Sequence, residues 1–172
     1  NTGVSLRFVE GLLPENYQPL RSFGWAAVEI VVTDVDALAA ALAGSPFVTV
    51  SPPADLAFGD GALRAMTVRG PAQEILIFTQ VRHALPGYDL PTAVDPVDRP
   101  FIAIAAAEDI DKAQSFYRDK FKRPAGPTVE TPNRGVNDAF DLGPTERHPM
   151  TTIALPRESY IEIDQYPEMT AK

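Results

Sequence analysis

Acidic side chains two residues apart on a strand are the groups in this chain best placed to do chemistry. The stretch 158–167, Glu-Ser-Tyr-Ile-Glu-Ile-Asp-Gln-Tyr-Pro, alternates polar and apolar positions. Successive side chains of a strand point to opposite faces, so Ile161 and Ile163 enter a core while Tyr160, Glu162 and Asp164 line the other face. A carboxyl of raised pKa in a pocket can serve as a general base, and a carboxylate can ligate a metal or anchor a ligand. Glu29, in the middle of the apolar run 25–33, is a second candidate. The chain has no cysteine, which excludes disulfides, thiolate nucleophiles and cysteine zinc sites. Its two histidines, His83 in a proline-rich stretch and His148 before Pro149 in a polar turn, both read as solvated loop residues. The structural alternative for Glu162 is an ion pair with Arg64 or Arg69, and for Glu29 a cross-strand arginine or water.

The elements that must position these residues occur twice. Val28, Ile30 and Val32 alternate with Ala27, Glu29 and Val31, which predicts a strand. Asp34 then caps a short helix with Val35, Leu38, Ala39 and Leu42 on one face, stopped by Gly44 and Pro46. Strands follow at 47–50, ended by Pro52-Pro53, and, after the turn Gly59-Asp60-Gly61, at 63–69 and 74–80. Residues 81–97 are rich in proline and lack periodicity, as an extended linker does. The order then repeats. A strand at 101–107 leads to Asp109, the cap of a helix with Ile110, Ala113, Phe116, Tyr117 and Phe121 in phase. A strand at 128–131, a turn at Asn133-Arg134-Gly135, an ambiguous segment to His148 and strands at 150–155 and 160–165 close the second unit.

An alternating segment at 4–10 (Val4, Leu6 and Phe8 against Ser5 and Arg7) reads as one more strand, the tail of an earlier module, which implies residues upstream of Asn1. Its uncovered edge points to a homodimer. The expected organisation is therefore 1–23 as N-terminal strand and connection, 24–80 as the first module, 81–97 as linker and 98–172 as the second module. The fold class is α+β, two paired βαβββ modules forming a cupped mixed sheet around a central pocket.

Composition narrows the partners. Apolar residues at 45% and charged residues at 22% of 172 predict an ordered globular chain. No apolar run approaches the ~18 residues of a membrane span, and no leader pattern opens the sequence, so a cytoplasmic protein without a membrane partner is expected. A net charge of −8 without a basic stripe argues against nucleic acid. No glycine-rich phosphate loop or nucleophile-elbow serine is present. Trp25, Phe58, Phe140, Tyr160 and Tyr166 are candidates to stack on a planar ligand.

Three stretches, Ala27-Val28-Glu29-Ile30-Val31-Val32-Thr33-Asp34-Val35-Asp36, Asp109-Ile110-Asp111-Lys112-Ala113-Gln114-Ser115-Phe116-Tyr117 and Tyr160-Ile161-Glu162-Ile163, resemble the first strand, helix start and last strand of the module of the vicinal oxygen chelate superfamily, the glyoxalase, bleomycin-resistance and extradiol-dioxygenase group. The resemblance covers about 24–80 and 98–167. It implies metal ligands on the first and last strands of both modules, positions that fall here on Ala27, Ile77, Phe101 or Ile102, and Glu162. With one acid among them, no cofactor is expected. If a divalent metal binds, the substituting set would be Glu162, Glu29 and His148. Two readings follow. One is a metal-independent protein binding a small organic molecule in a pocket lined by Glu29, Glu162, Tyr160, Arg64 and Met66. The other is a lyase, isomerase or dioxygenase-type enzyme on an oxygenated or aromatic small molecule, with Glu162 as base or metal ligand.

Overall fold

Two β-α-β-β-β units meet along one strand edge and form a single eight-stranded mixed sheet. The computed structural model describes residues 6–7, 9–57 and 59–168. The first unit comprises β1 (Gly24–Val32), α1 (Val35–Leu42), β2 (Val48–Asp55), β3 (Leu63–Arg69) and β4 (Ile75–Val81). The second comprises β5 (Val97–Ala107), α2 (Ile110–Phe121), β6 (Val129–Pro132), α3 (Arg134–Ala139), β7 (Arg147–Leu155) and β8 (Ser159–Gln165). The order across the sheet is β2-β3-β4-β1-β5-β8-β7-β6. In each unit the first strand pairs in parallel with the last, β1 with β4 and β5 with β8, and the units join through antiparallel β1 and β5.

Local chemistry sets both helix starts. Asp34 accepts hydrogen bonds from the amides of Asp36 and Ala37, and Asp109 from that of Lys112, so each cap satisfies donors that the first helical turn leaves open. The helices cover one face of the sheet. Val35, Leu38, Ala39 and Leu42 of α1 pack on Ile30, Val32, Met66, Val68 and Phe78, and Ile110, Ala113 and Tyr117 of α2 on Ile153 and Ile163. The other face is concave. One end of it is filled by Leu20 against Ala27, Ile75 and Ile104, and by Val136 and Phe140 against Ala26, Ala106 and Tyr166.

Several elements depart from the sequence reading. β2 continues through Pro52-Pro53 to Asp55, because it is an edge strand whose register shifts on both sides of Ser51. Proline is tolerated where no ladder donor is required. The turn expected at Asn133-Arg134-Gly135 is the start of α3, with Asn133 as its cap. Residues 82–96 do not run free: Leu85, Tyr88 and Leu90 pack with Leu56, Ala62, Leu63 and Val81. Of the opening alternation, Leu6, Arg7, Val9 and Glu10 form no strand, while Val4, Ser5 and Phe8 lie outside the described residues, as does Phe58. The free edges of the sheet are accordingly β2 and β6.

Candidate functional site

The concave face encloses a cavity of about 250 Å³. Its floor comes from the central strands, with Glu29 on β1, Ile77 on β4, Ile102 on β5, and Tyr160, Glu162 and Asp164 on β8. Strand alternation explains this placement, since the residues between them, Ile30, Phe78 and Ile163, lie under the helices. The sides are Ala65 and Thr67 of β3, Met150 and Thr152 of β7, and Asn133 to Gly135 at the start of α3. Leu85, Tyr88 and Leu90 close one end.

The three acids are held differently. Thr79 donates its hydroxyl proton to Glu29 Oε1, and Asn133 Nδ2 donates to Asp164 Oδ2 at 2.9 Å. The same Asn133 caps α3 through its Oδ1, so one side chain ties the covering helix to the acid floor. Among the described residues Glu162 has no such donor, and it lines the cavity. Burial drives all three pKa values upward. Glu29 is raised to about 7 by burial, opposed by the Thr79 hydrogen bond. Asp164 is raised to about 7 by burial and by Glu29, opposed by Asn133. Glu162 is raised well above the ordinary carboxyl range by burial first, then by Asp164 and Glu29. Burial, then Asp164, Glu162 and Tyr17, also push Tyr166 upward. Near neutral pH the floor therefore holds protons that exposed carboxylates would have released.

The candidates from the sequence divide. Glu29, Glu162 and Tyr160 line the cavity. The Tyr160 hydroxyl accepts from the amide of Asp89 at 2.7 Å, and its ring lies 5.8 Å from that of Tyr88, so it also fastens the covering segment. Arg64 does not enter the cavity: it binds Asp36 through Nε and Nη2, each at 2.8 Å, and Asp55 through Nη1 at 3.1 Å. The alternation that points Ala65 and Thr67 inward turns Arg64 toward α1. Met66 touches the cavity wall, yet its side chain belongs to the core under α1 for the same reason. His148 is no loop histidine. It lies in β7, 9% exposed, and donates from Nε2 to Asn137 Oδ1 at 2.7 Å. Burial lowers its pKa against the opposing pull of Glu146 and Glu130, which makes it a neutral structural group. Phe140 and Tyr166 stack edge to face in the core, and Trp25 is exposed outside the cavity. Asn133 and Thr79 were missed as site residues, and Asp164 was placed on the acidic face without a role of its own. Only Asp164 carried a signal, its spacing of two from Glu162.

In the strand register Glu29 of β1 lies beside Ile77 of β4, and Glu162 of β8 beside Ile104 of β5, so each unit sets one acid against one isoleucine. Isoleucine cannot ligate, and one Glu29 oxygen already accepts a hydrogen bond from the Thr79 hydroxyl. Among the described residues no group of three or more His, Asp or Glu is arranged to hold a metal ion, so His148 does not join Glu29 and Glu162. Two acids and two isoleucines at these four positions do not by themselves make a complete divalent-metal site.

No protein-family profile matches the sequence, and no curated protein matches it. Solved structures do match in shape. Glyoxalase I from Zea mays aligns at 13% identity and TM-score 0.57 over 87% of this chain and 45% of that one, so the chain spans less than half the length of that relative. Methylmalonyl-CoA epimerase from Mycobacterium tuberculosis aligns at 12% identity and TM-score 0.54, covering 84% of this chain and 88% of the other. At these identities the likeness concerns architecture. With its two β-α-β-β-β units curled around a shared cavity, the chain has the vicinal oxygen chelate fold.

Proposed function

We propose that this chain binds a small organic molecule in the concave cavity and does so without a resident divalent metal. The observation that carries this reading is the cavity itself: strands β1, β4, β5 and β8 converge on an unfilled, mostly apolar space whose floor bears three carboxyls. Apolar walls with a few convergent polar groups are what a small-molecule site requires. Tryptophol, a neutral bicyclic probe, tests it. Protein dialysed against EDTA should bind it saturably, and Ile77→Trp, which fills the floor while leaving the circular dichroism spectrum unchanged, should abolish binding. Loss of binding on chelation, or undiminished binding in the variant, would overturn the reading.

A second reading is favoured by Glu162, whose raised pKa and open position suit a general acid or base. The epimerase of similar shape makes methylmalonyl-CoA the natural probe. Under this reading the wild type in D2O incorporates deuterium into methylmalonyl-CoA and Glu162→Gln does not, whereas equal incorporation by the two proteins removes the catalytic role.

A further inference from the structure

The cavity floor holds more acid than a neutral ligand can use. Glu29 and Asp164 each have one oxygen engaged by a protein donor, Thr79 and Asn133, while no donor among the described residues reaches the Glu162 carboxyl, which is flanked by the other two and opens on the cavity. The fourth lining acid, Asp55, is at the rim and already paired with Arg64 and Arg82. Among the described lining residues the one basic side chain is Arg134, in the first turn of α3. Tyr88 and Tyr160 also line the cavity, and Tyr166 lies close enough to Asp164 and Glu162 to feel their charge.

We infer that the cavity takes an organic cation, an ammonium or amidinium group on a flat apolar body, with Glu162 as its main counter-charge and Glu29 and Asp164 beside it. This rests on reading the cavity as a binding site and specifies the ligand that fits it. At an effective dielectric of about 20, opposite charges attract roughly four times as strongly as in water, so a cation gains most where three carboxyls converge. An anion finds no counter-charge on this floor and is repelled wherever one of the carboxyls is ionised. A neutral molecule gains only a hydrogen bond from a carboxyl that keeps its proton. A bare metal ion needs several ligands closed tightly around it, and the described residues do not provide such a set. An ammonium brings three donors of its own and an apolar body to lie on Ile77, Ile102 and Tyr160. Binding converts a carboxylic acid to a carboxylate against the ammonium, and the displaced proton leaves to solvent.

Tryptamine, tryptophol and indole-3-acetate share a ring system and differ in charge, so calorimetric titration of the full chain with each near neutral pH separates the outcomes. Tryptamine should bind at least about tenfold more tightly than tryptophol, and indole-3-acetate most weakly. The heat of tryptamine binding should differ between PIPES and Tris buffers in the sense of proton release. Glu162→Gln, which keeps the shape and removes the charge, should narrow the ratio of tryptamine to tryptophol affinity, and Glu29→Gln should narrow it less. Tryptophol or indole-3-acetate binding as tightly as tryptamine, with Ile77→Trp abolishing both, would overturn the cation and leave the pocket reading intact. Binding of none of the three would sink both.

Discussion

Glu29, Glu162 and Asp164 make the fold sensitive to pH in a definite direction. Their folded pKa values lie above the ordinary carboxyl values of 4.5 and 3.8, with Glu29 and Asp164 at about 7. A group whose pKa rises on folding binds its proton more tightly in the native state. Its contribution is fully present below the unfolded pKa and is lost as pH rises through the folded one. Each acid can remove up to ~1.4 kcal/mol per pH unit within that window. Melting temperature should therefore fall between about pH 5 and pH 8, and Glu162→Gln or Glu29→Gln should flatten the slope and raise stability at the upper end. A flat wild-type profile, or a steeper one in the variants, would show that the floor is not protonated. Glu162→Gln is thus expected to be the more stable protein and the weaker binder of a cation, a combination that an ordinary structural carboxylate would not produce.

At the level of elements, the cavity is closed by segments tied to its floor through single polar side chains. Ser51 of β2 donates to Asp138 of α3 at 2.6 Å, and Asn133 joins α3 to Asp164, so the short helix bridges the two units across the concave face. On the opposite side Tyr160 holds residues 82–96 through the Asp89 amide. Tyr160→Phe removes that bond and leaves the ring in place. It should cost about 1 kcal/mol and speed hydrogen exchange at the Asp89 amide while the central strands stay protected. Unchanged exchange at Asp89 would mean that packing of Leu85 and Leu90 alone holds the segment. The helices on the other face depend on neither tie, because their caps are local and their apolar faces pack on the sheet.

For the molecule as a whole, the join between β1 and β5 decides what the cavity is. Each unit alone offers a half-covered sheet, and pairing brings Glu29 of one near Glu162 and Asp164 of the other, close enough for Glu29 to help raise the pKa of both. Isoleucine stands beside each glutamate in the register, Ile77 by Glu29 and Ile104 by Glu162. The architecture is similar to that of glyoxalase I and the epimerase, and the side chains facing inward here include Glu29, Ile77, Ile102, Tyr160, Glu162 and Asp164. No helix among the described residues is long and apolar enough to cross a membrane.

The sequence by itself determined what depends on near neighbours along the chain. Alternation put Tyr160, Glu162 and Asp164 on one face and Ile161 and Ile163 on the other, and Asp34 and Asp109 announced α1 and α2, because strand pleat and capping act over a few residues. The β-α-β-β-β order followed from those signals. Tertiary structure alone decided the partners. Arg64 reaches Asp36 on α1 and not Glu162, His148 is buried against Asn137, β2 survives two prolines as an edge, and Ile77 pairs with Glu29. Each of these depends on register between strands far apart in the chain. A shift of one residue would reverse which side chains face the cavity, and no local pattern encodes that choice.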